Sequence, residues 1–328
     1  MTNQFTQICK NYNTSFFELI SAEQINNFCS ENTNGKINKL IDKIDPEAAL
    51  ILINAIYFKG TWKEKFDEHS TKNKTFLNYD KTSVLTEVMY HEYYENLYYE
   101  DEKVQMISLP YISNKLSFQM IIILPNLKNY SSPLNYINKE KIILSEIYSK
   151  LEYKRNIHLY LPKFNYEFTV DLKEILQNMG MELAFSQNDA EFQNLCQNVD
   201  TFVSTILHKT YINVNENGTE AAAITLERME TASLEPKEYY MNVNHSFIYM
   251  IVSDKIKDTE DKYIMPFIGI VNKLEGEKIN ETFEYSNKTD NDDDKDALEP
   301  RKFINSNYIS NNKTILLIIT YLIFLINS

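Results

Sequence analysis

The chain has 328 residues, 43% of them hydrophobic, and a formal charge of -13, enough apolar material to pack one large domain or two average ones. That charge, with no long basic block, argues against nucleic acid as a partner, because phosphate binding is driven by clustered lysines and arginines that displace counterions. Three cysteines, Cys9, Cys29 and Cys196, are odd in number and too widely spaced for a disulfide framework or a metal knuckle.

The opening residues, MTNQFTQICK, lack a basic stretch leading into an apolar core and do not form a secretory signal. From Phe16 to Ile44 the pattern predicts helix, with Ser21 as its cap and a turn signal at Asn34-Gly35. AALILINAIYFKG (48–60) is too continuously apolar for a one-sided strand and predicts one buried on both faces, with Asn54 its polar interruption. Further strands are expected at LSFQMIIILP (116–125), IHLYLPKF (157–164), SFIYMIVSD (246–254) and MPFIGIV (265–271). TVDLKEILQNMG (169–180) predicts a helix ended by Gly180 in a left-handed cap. Strands and helices mix without regular alternation, so the fold class is α+β with antiparallel or mixed sheets.

In ILHKTYINVNE (206–216) alternate positions Ile206, His208, Thr210, Ile212, Val214 and Glu216 share one face of a strand. His208 on that apolar face reads as a core histidine with a buried polar partner, for which Asn54 is the natural candidate. The next segment is NENGTEAAAIT (215–225). Its Asn217 and Glu220 have capping-box spacing, so an ordinary helix start is one reading of it.

Residues 277–314 are acidic, Asn-rich and without apolar periodicity, and read as a linker. Asp290, Asp292 and Asp294 mimic a calcium loop, but Lys295 and Arg301 stand where glycine and glutamate are needed. The apolar run at 315–326, within a hydrophobic tail at 315–328, would span only ~18 Å as a helix against a ~30 Å hydrocarbon core. With small residues Asn305, Ser306 and Asn307 and a polar spacer before it, the tail matches a lipid-anchor attachment signal and implies membrane attachment. Asn73, Asn217, Asn280, Asn287 and Asn312 begin glycosylation sequons. No phosphate loop, nucleophile elbow, zinc helix or paired Cys-x-x-Cys is present, and His69, His91, His158, His208 and His245 are scattered singly. No enzyme activity, metal or cofactor is implied.

Several of these stretches carry a family resemblance. NENGTEAAAIT resembles the hinge of the serpin reactive-centre loop, and LINAIYFKGTWKEKFD (52–67) is similar to the family's strand 3A signature. ENTNGKINKLI (31–41) resembles the end of helix F, VNHSFIYMI (243–251) strand 4B, and PFIGIV (266–271) strand 5B. The matches follow family order and cover about residues 5–276, implying a domain at 1–276. They imply a serpin-like fold of three β-sheets with surrounding helices and an exposed loop that baits a serine protease. Cleavage of that loop lets the hinge enter the main sheet as an added strand. The small residues Thr219, Ala221 and Ala223, alternating with Glu220 and Ala222, suit passage into a packed sheet, and Gly218 supplies turn freedom.

By the same resemblance Asn54 and His208 match the shutter beneath the parting strands. Trp62, Lys163 and Glu216 match the breach, where an ion pair is expected. The family's loop length sets the scissile bond at Ala232-Ser233, favouring an elastase-like target. Counting from the other side leaves Arg228, Leu234 or Lys237 as bait for trypsin-like or chymotrypsin-like enzymes.

Three departures qualify the match. Phe5 already resembles helix E, so the family's opening block and its shutter serine are absent, as in a truncated gene model or fragment. Glu227 would bring a carboxylate inward on insertion, and a glycan on Asn217 would obstruct the hinge. A non-inhibitory binding protein or degenerate copy is the alternative. An upstream signal peptide would make the protein extracellular or surface-bound, and without one it would be cytoplasmic.

Overall fold

A computed structural model describes residues 21–45, 48–113, 117–140, 143–192, 201–219, 237–253 and 263–279. In chain order these hold helix α1 (Ala22–Asn32) and strands β1 (Leu50–Tyr57), β2 (Gly60–Thr61), β3 (Lys72–Leu77), β4 (Ser83–Glu100), β5 (Val104–Pro110) and β6 (Phe118–Pro125). Helices α2 (Pro133–Glu140) and α3 (Leu144–Lys150) follow, then β7 (Glu152–Pro162), β8 (Phe164–Asp171) and helix α4 (Lys173–Asn178). The remaining strands are β9 (Val203–Asn215), β10 (Gly218–Thr219), β11 (Tyr239–Asn242), β12 (Phe247–Ser253), β13 (Phe267–Val271) and β14 (Glu277–Ile279). The described residues divide into two units, 21–57 with 166–212 and 58–165 with 213–279.

In the first unit, the Ser21 hydroxyl caps α1 as expected, accepting the Gln24 amide at 3.2 Å. The helix ends at Asn32, well short of the expected Ile44. Asn34 and Gly35 both adopt positive φ, 52° and 74°, which stops helical propagation. Beyond them the Asn26 side chain accepts the Leu40 and Ile41 amides and donates to the Ile41 carbonyl, satisfying backbone groups that a helix would otherwise have paired. Ile37 and Leu40 thereby fold back onto Ile25, Cys29 and Ala55.

β1 pairs in parallel with β9, from Leu50 opposite Val203 to Tyr57 opposite Tyr211. Burial on both faces holds only from Asn54 to Ile56. The α1 cluster covers Ile53 and Ala55 on one face, while Leu52 on the other is 39% exposed. β8 flanks β9 and runs to Asp171, so α4 starts later than the expected Thr169. The Asp171 carboxylate accepts the Thr205 hydroxyl and the Ile206 amide, holding those residues in the strand. Gly180 closes α4 at φ 96°, as its sequence position implied.

The second unit is built on a ladder ordered β11-β7-β4-β5-β6-β12-β13, with β3 and β14 also pairing β4. β4 is 18 residues long and pairs with β3, β5, β7 and β14 in one nine-stranded sheet. β12 is buried along its whole length and β6 nearly so, as their unbroken apolar runs require. Ile121, Ile123, Ile248 and Met250 pack there with Tyr130, Tyr136 and Ile147 from α2, α3 and the loop before them. Pairing of β14 carries the ladder to Ile279, past residue 276.

Candidate functional site

Within the second unit, the end of β9 turns back on itself. Gly218 and Thr219 pair antiparallel with Asn215 and Val214 on one side and with Thr61 and Gly60 on the other. The segment that resembles a hinge thus begins as a two-residue strand, and the helix start suggested by Asn217 and Glu220 does not form through Thr219. Gly218 has φ 138°, and a Cβ on it would lie 2.2 Å from the Gly60 carbonyl oxygen, so no other residue fits. The carbonyls of Asn217 and Glu216 accept the Trp62 and Phe66 amides at 3.2 and 3.0 Å.

Trp62 is buried, stacks on Tyr111 at 4.5 Å between centroids with a 14° interplanar angle, and donates through Nε1 to the Asn215 carbonyl at 3.0 Å. The Tyr111 hydroxyl and Thr219 Oγ1 share a hydrogen bond of 2.9 Å. Lys163 Nζ lies 3.4 Å from Glu216 Oε1 and 3.3 Å from Glu87, and Glu216 also accepts the Thr71 hydroxyl at 2.7 Å. Burial alone would raise the Glu216 carboxyl, but its backbone and Thr71 hydrogen bonds and the Lys163 charge hold it below its ordinary 4.5. Lys163 is raised despite burial, through Glu216 and Glu87.

The structure therefore brings together Trp62, Lys163, Glu216, Gly218 and Thr219. It adds Tyr111, Thr71 and Glu87, which sequence reasoning did not single out. Tyr111 follows Pro110 at the end of β5 with no local pattern to mark it.

In the first unit Asn54 and His208 are register partners on β1 and β9. The hydrogen bond expected between them is not made: among the described residues, the buried Asn54 Oδ1 and His208 Nδ1 have no partner. Register partners send their side chains out on one face, running alongside each other, so adjacency alone does not aim a ring nitrogen at an amide oxygen. Burial pushes His208 below its ordinary 6.5. Lys209, on the opposite face, is buried as well and pairs with Glu167.

Glu220, Ala221, Ala222, Ala223, Glu227 and the Ala232-Ser233 bond lie outside the described residues, as do Phe5 and the segments 280–314 and 315–328. No described helix is long and apolar enough to cross a membrane.

Leukocyte elastase inhibitor from Equus caballus is 35% identical over 239 residues, 70% of this chain and 62% of that protein. Among solved structures, the native thermophilic serpin tengpin aligns with a TM-score of 0.64 at 31% identity, over 77% of this chain and 63% of its own. Thyroxine-binding globulin in complex with thyroxine aligns with a TM-score of 0.68 at 24% identity, over 83% and 71%, a likeness of fold. The chain thus spans under two thirds of the length of the first two. Residues 1–262 match the serpin (serine protease inhibitor) family, and with most of its sequence inside that match this chain belongs to the serpins.

Proposed function

We propose that the chain inhibits a serine protease as a suicide substrate. The protease's serine attacks the scissile carbonyl of the loop, the new amino end leaves, and the acyl-enzyme is trapped when the hinge enters the sheet beside β9. The seat of Gly218 and Thr219 carries this reading: the loop leaves β9 already strand-paired, with glycine and a small residue at its start. Ala221, Ala222 and Ala223 continue that small-residue pattern. In this reading Lys163 and Glu216 hold the hinge's root, and Asn54 and His208 mark where β1 and β9 part. The protease supplies the nucleophile, so no catalytic residue, metal or cofactor of this chain takes part.

The target favoured is elastase-like, with Ala232-Ser233 as the bond cut. The name of the horse relative is consistent with that choice. Arg228 or Leu234 would redirect the loop to trypsin-like or chymotrypsin-like enzymes. Lys237 is a poor bait, because it pairs with Glu100 at 3.4 Å and lies 4.3 Å over the Tyr239 ring.

The test is incubation of the chain with elastase, trypsin and chymotrypsin. A covalent complex resistant to SDS, and a cleaved form more heat-resistant than the intact one, are the expected results. Cleavage with neither would overturn inhibition in favour of a serpin-like binding protein. That second reading draws on Glu227, whose carboxylate shares the inward parity of Thr219, Ala221 and Ala223.

A further inference from the structure

We propose that His158 is a positioning residue for β11, the first strand after the loop, its ring clasping that strand through Tyr240 and Glu238, and that protonation of the ring tightens the clasp. The clasp belongs to the uncleaved chain, and its bearing on how the loop is offered to a protease rests on the inhibitory reading above.

β11 is four residues long and, among the described residues, strand-pairs with β7 alone, so its ladder by itself offers little resistance to local opening. Within that pairing His158 is the register partner of Tyr240 on one side and of Glu92, on β4, on the other. Its ring stacks on Tyr240 at 4.6 Å between centroids with a 10° interplanar angle, and lies near-parallel to Tyr90 at 6.2 Å. Nδ1 shares a 2.9 Å hydrogen bond with the Tyr90 hydroxyl, while the buried Nε2 has no hydrogen-bond partner among the described residues and lies 4.0 Å from the Glu238 carboxylate. That carboxylate also accepts the Tyr240 hydroxyl. In a neutral ring Nε2 is an unmet donor or acceptor, whichever tautomer is present. A protonated ring donates to Tyr90 from Nδ1 and places its charge beside Glu238 and against the face of Tyr240. The cations on the surrounding strands are engaged elsewhere: Lys74 of β3 lies over Tyr160 at 3.5 Å from the ring centroid, Lys154 pairs with Glu152, and Lys237 with Glu100. His245, which follows β11 in the chain, is held below its ordinary 6.5 by burial, so its protonation would loosen the region and cannot mimic the clasp.

Hydrogen–deuterium exchange of amides 239–243 in the full, uncleaved chain tests the clasp, read as protection factors so that the intrinsic pH dependence of exchange drops out. In the parent, protection is expected to rise about threefold as pH falls from about 8 to about 5.5, and by less at high salt because Glu238 is 54% exposed. Glu238→Gln should remove most of that rise. His158→Phe, which keeps a stacked ring without a titrating nitrogen, should show no rise at all. If His158→Phe does not fold, Glu238→Gln, a change at an exposed side chain, still decides. Parent protection that stays flat or falls toward pH 5.5, or an undiminished rise in either variant, would overturn the proposal. The pH response without an SDS-resistant complex against elastase, trypsin or chymotrypsin would keep the clasp and sink the inhibitory reading. The complex without the pH response would do the reverse.

Discussion

The hinge seat and the Asn54–His208 pair both put polar groups into apolar surroundings, but they are finished differently. At the seat, Glu216 is met by Thr71 and Lys163, the Trp62 indole by the Asn215 carbonyl, and Thr219 by Tyr111. At the pair, two buried atoms have no partner among the described residues. A buried polar atom left unsatisfied costs about 1–3 kcal/mol. The seat is thus a partnered polar cluster, whereas the pair leaves two atoms unmet beside an unbroken stretch of the β1–β9 ladder; under the proposed mechanism the first would hold the hinge's root and the second would lie where the strands part.

Substitutions can break or sharpen that contrast. The largest effect is expected at Trp62: Trp62→Ala removes the stacked ring and the bond to Asn215, and should destabilise by about 3–5 kcal/mol in urea unfolding. A loss below ~1 kcal/mol would mean that the seat is not a cooperative unit.

Glu216→Gln comes next, with an expected cost near ~1–2 kcal/mol at neutral pH. Because the folded carboxyl lies below 4.5, its contribution is fully present above that value and is lost as pH falls through the folded one. The variant should therefore flatten the acid limb of a stability–pH curve, and an unchanged limb would contradict the assignment.

The smallest effect is expected at His208. His208→Leu deletes an unpartnered nitrogen and should change stability by less than ~1 kcal/mol near pH 8, or raise it. The folded imidazole resists protonation and the unfolded one accepts it at 6.5, so the parent should lose stability as pH drops below 6.5. The variant should not show that loss. A cost of several kcal/mol near pH 8 would erase the distinction between the two regions.

Much of this architecture could be read in advance. The strands expected at 116–125 and 246–254 form as β6 and β12, and the Ser21 cap, the Asn34-Gly35 turn and Gly180 lie where local chemistry demands them. The same reading misjudged the stretch from Thr33 to Ile44, because the side chain of Asn26 satisfies its backbone from a distance that periodicity does not register. It also overstated the burial of Leu52, since an apolar run reports what a strand is suited to, while cover comes from other elements. At the candidate site, Trp62, Lys163 and Glu216 were legible through their family pattern. Tyr111, Thr71 and Glu87 were not, being ordinary residues made special by partners 108, 145 and 76 positions away in the chain.

What the sequence determined by itself is local: backbone classes, the apolar faces of strands, the glycine at 218 and the family signatures, all of which depend on neighbours a few residues apart. Beyond local caps such as Ser21 and the ion pair that the family pattern implied, tertiary structure decided which polar groups found partners. A hydrogen bond needs two atoms about 3 Å apart in the right direction, and long-range pairing of β-strands, rather than spacing along the chain, sets that distance. It closed the bond between Tyr111 and Thr219 and left the one between Asn54 and His208 unmade.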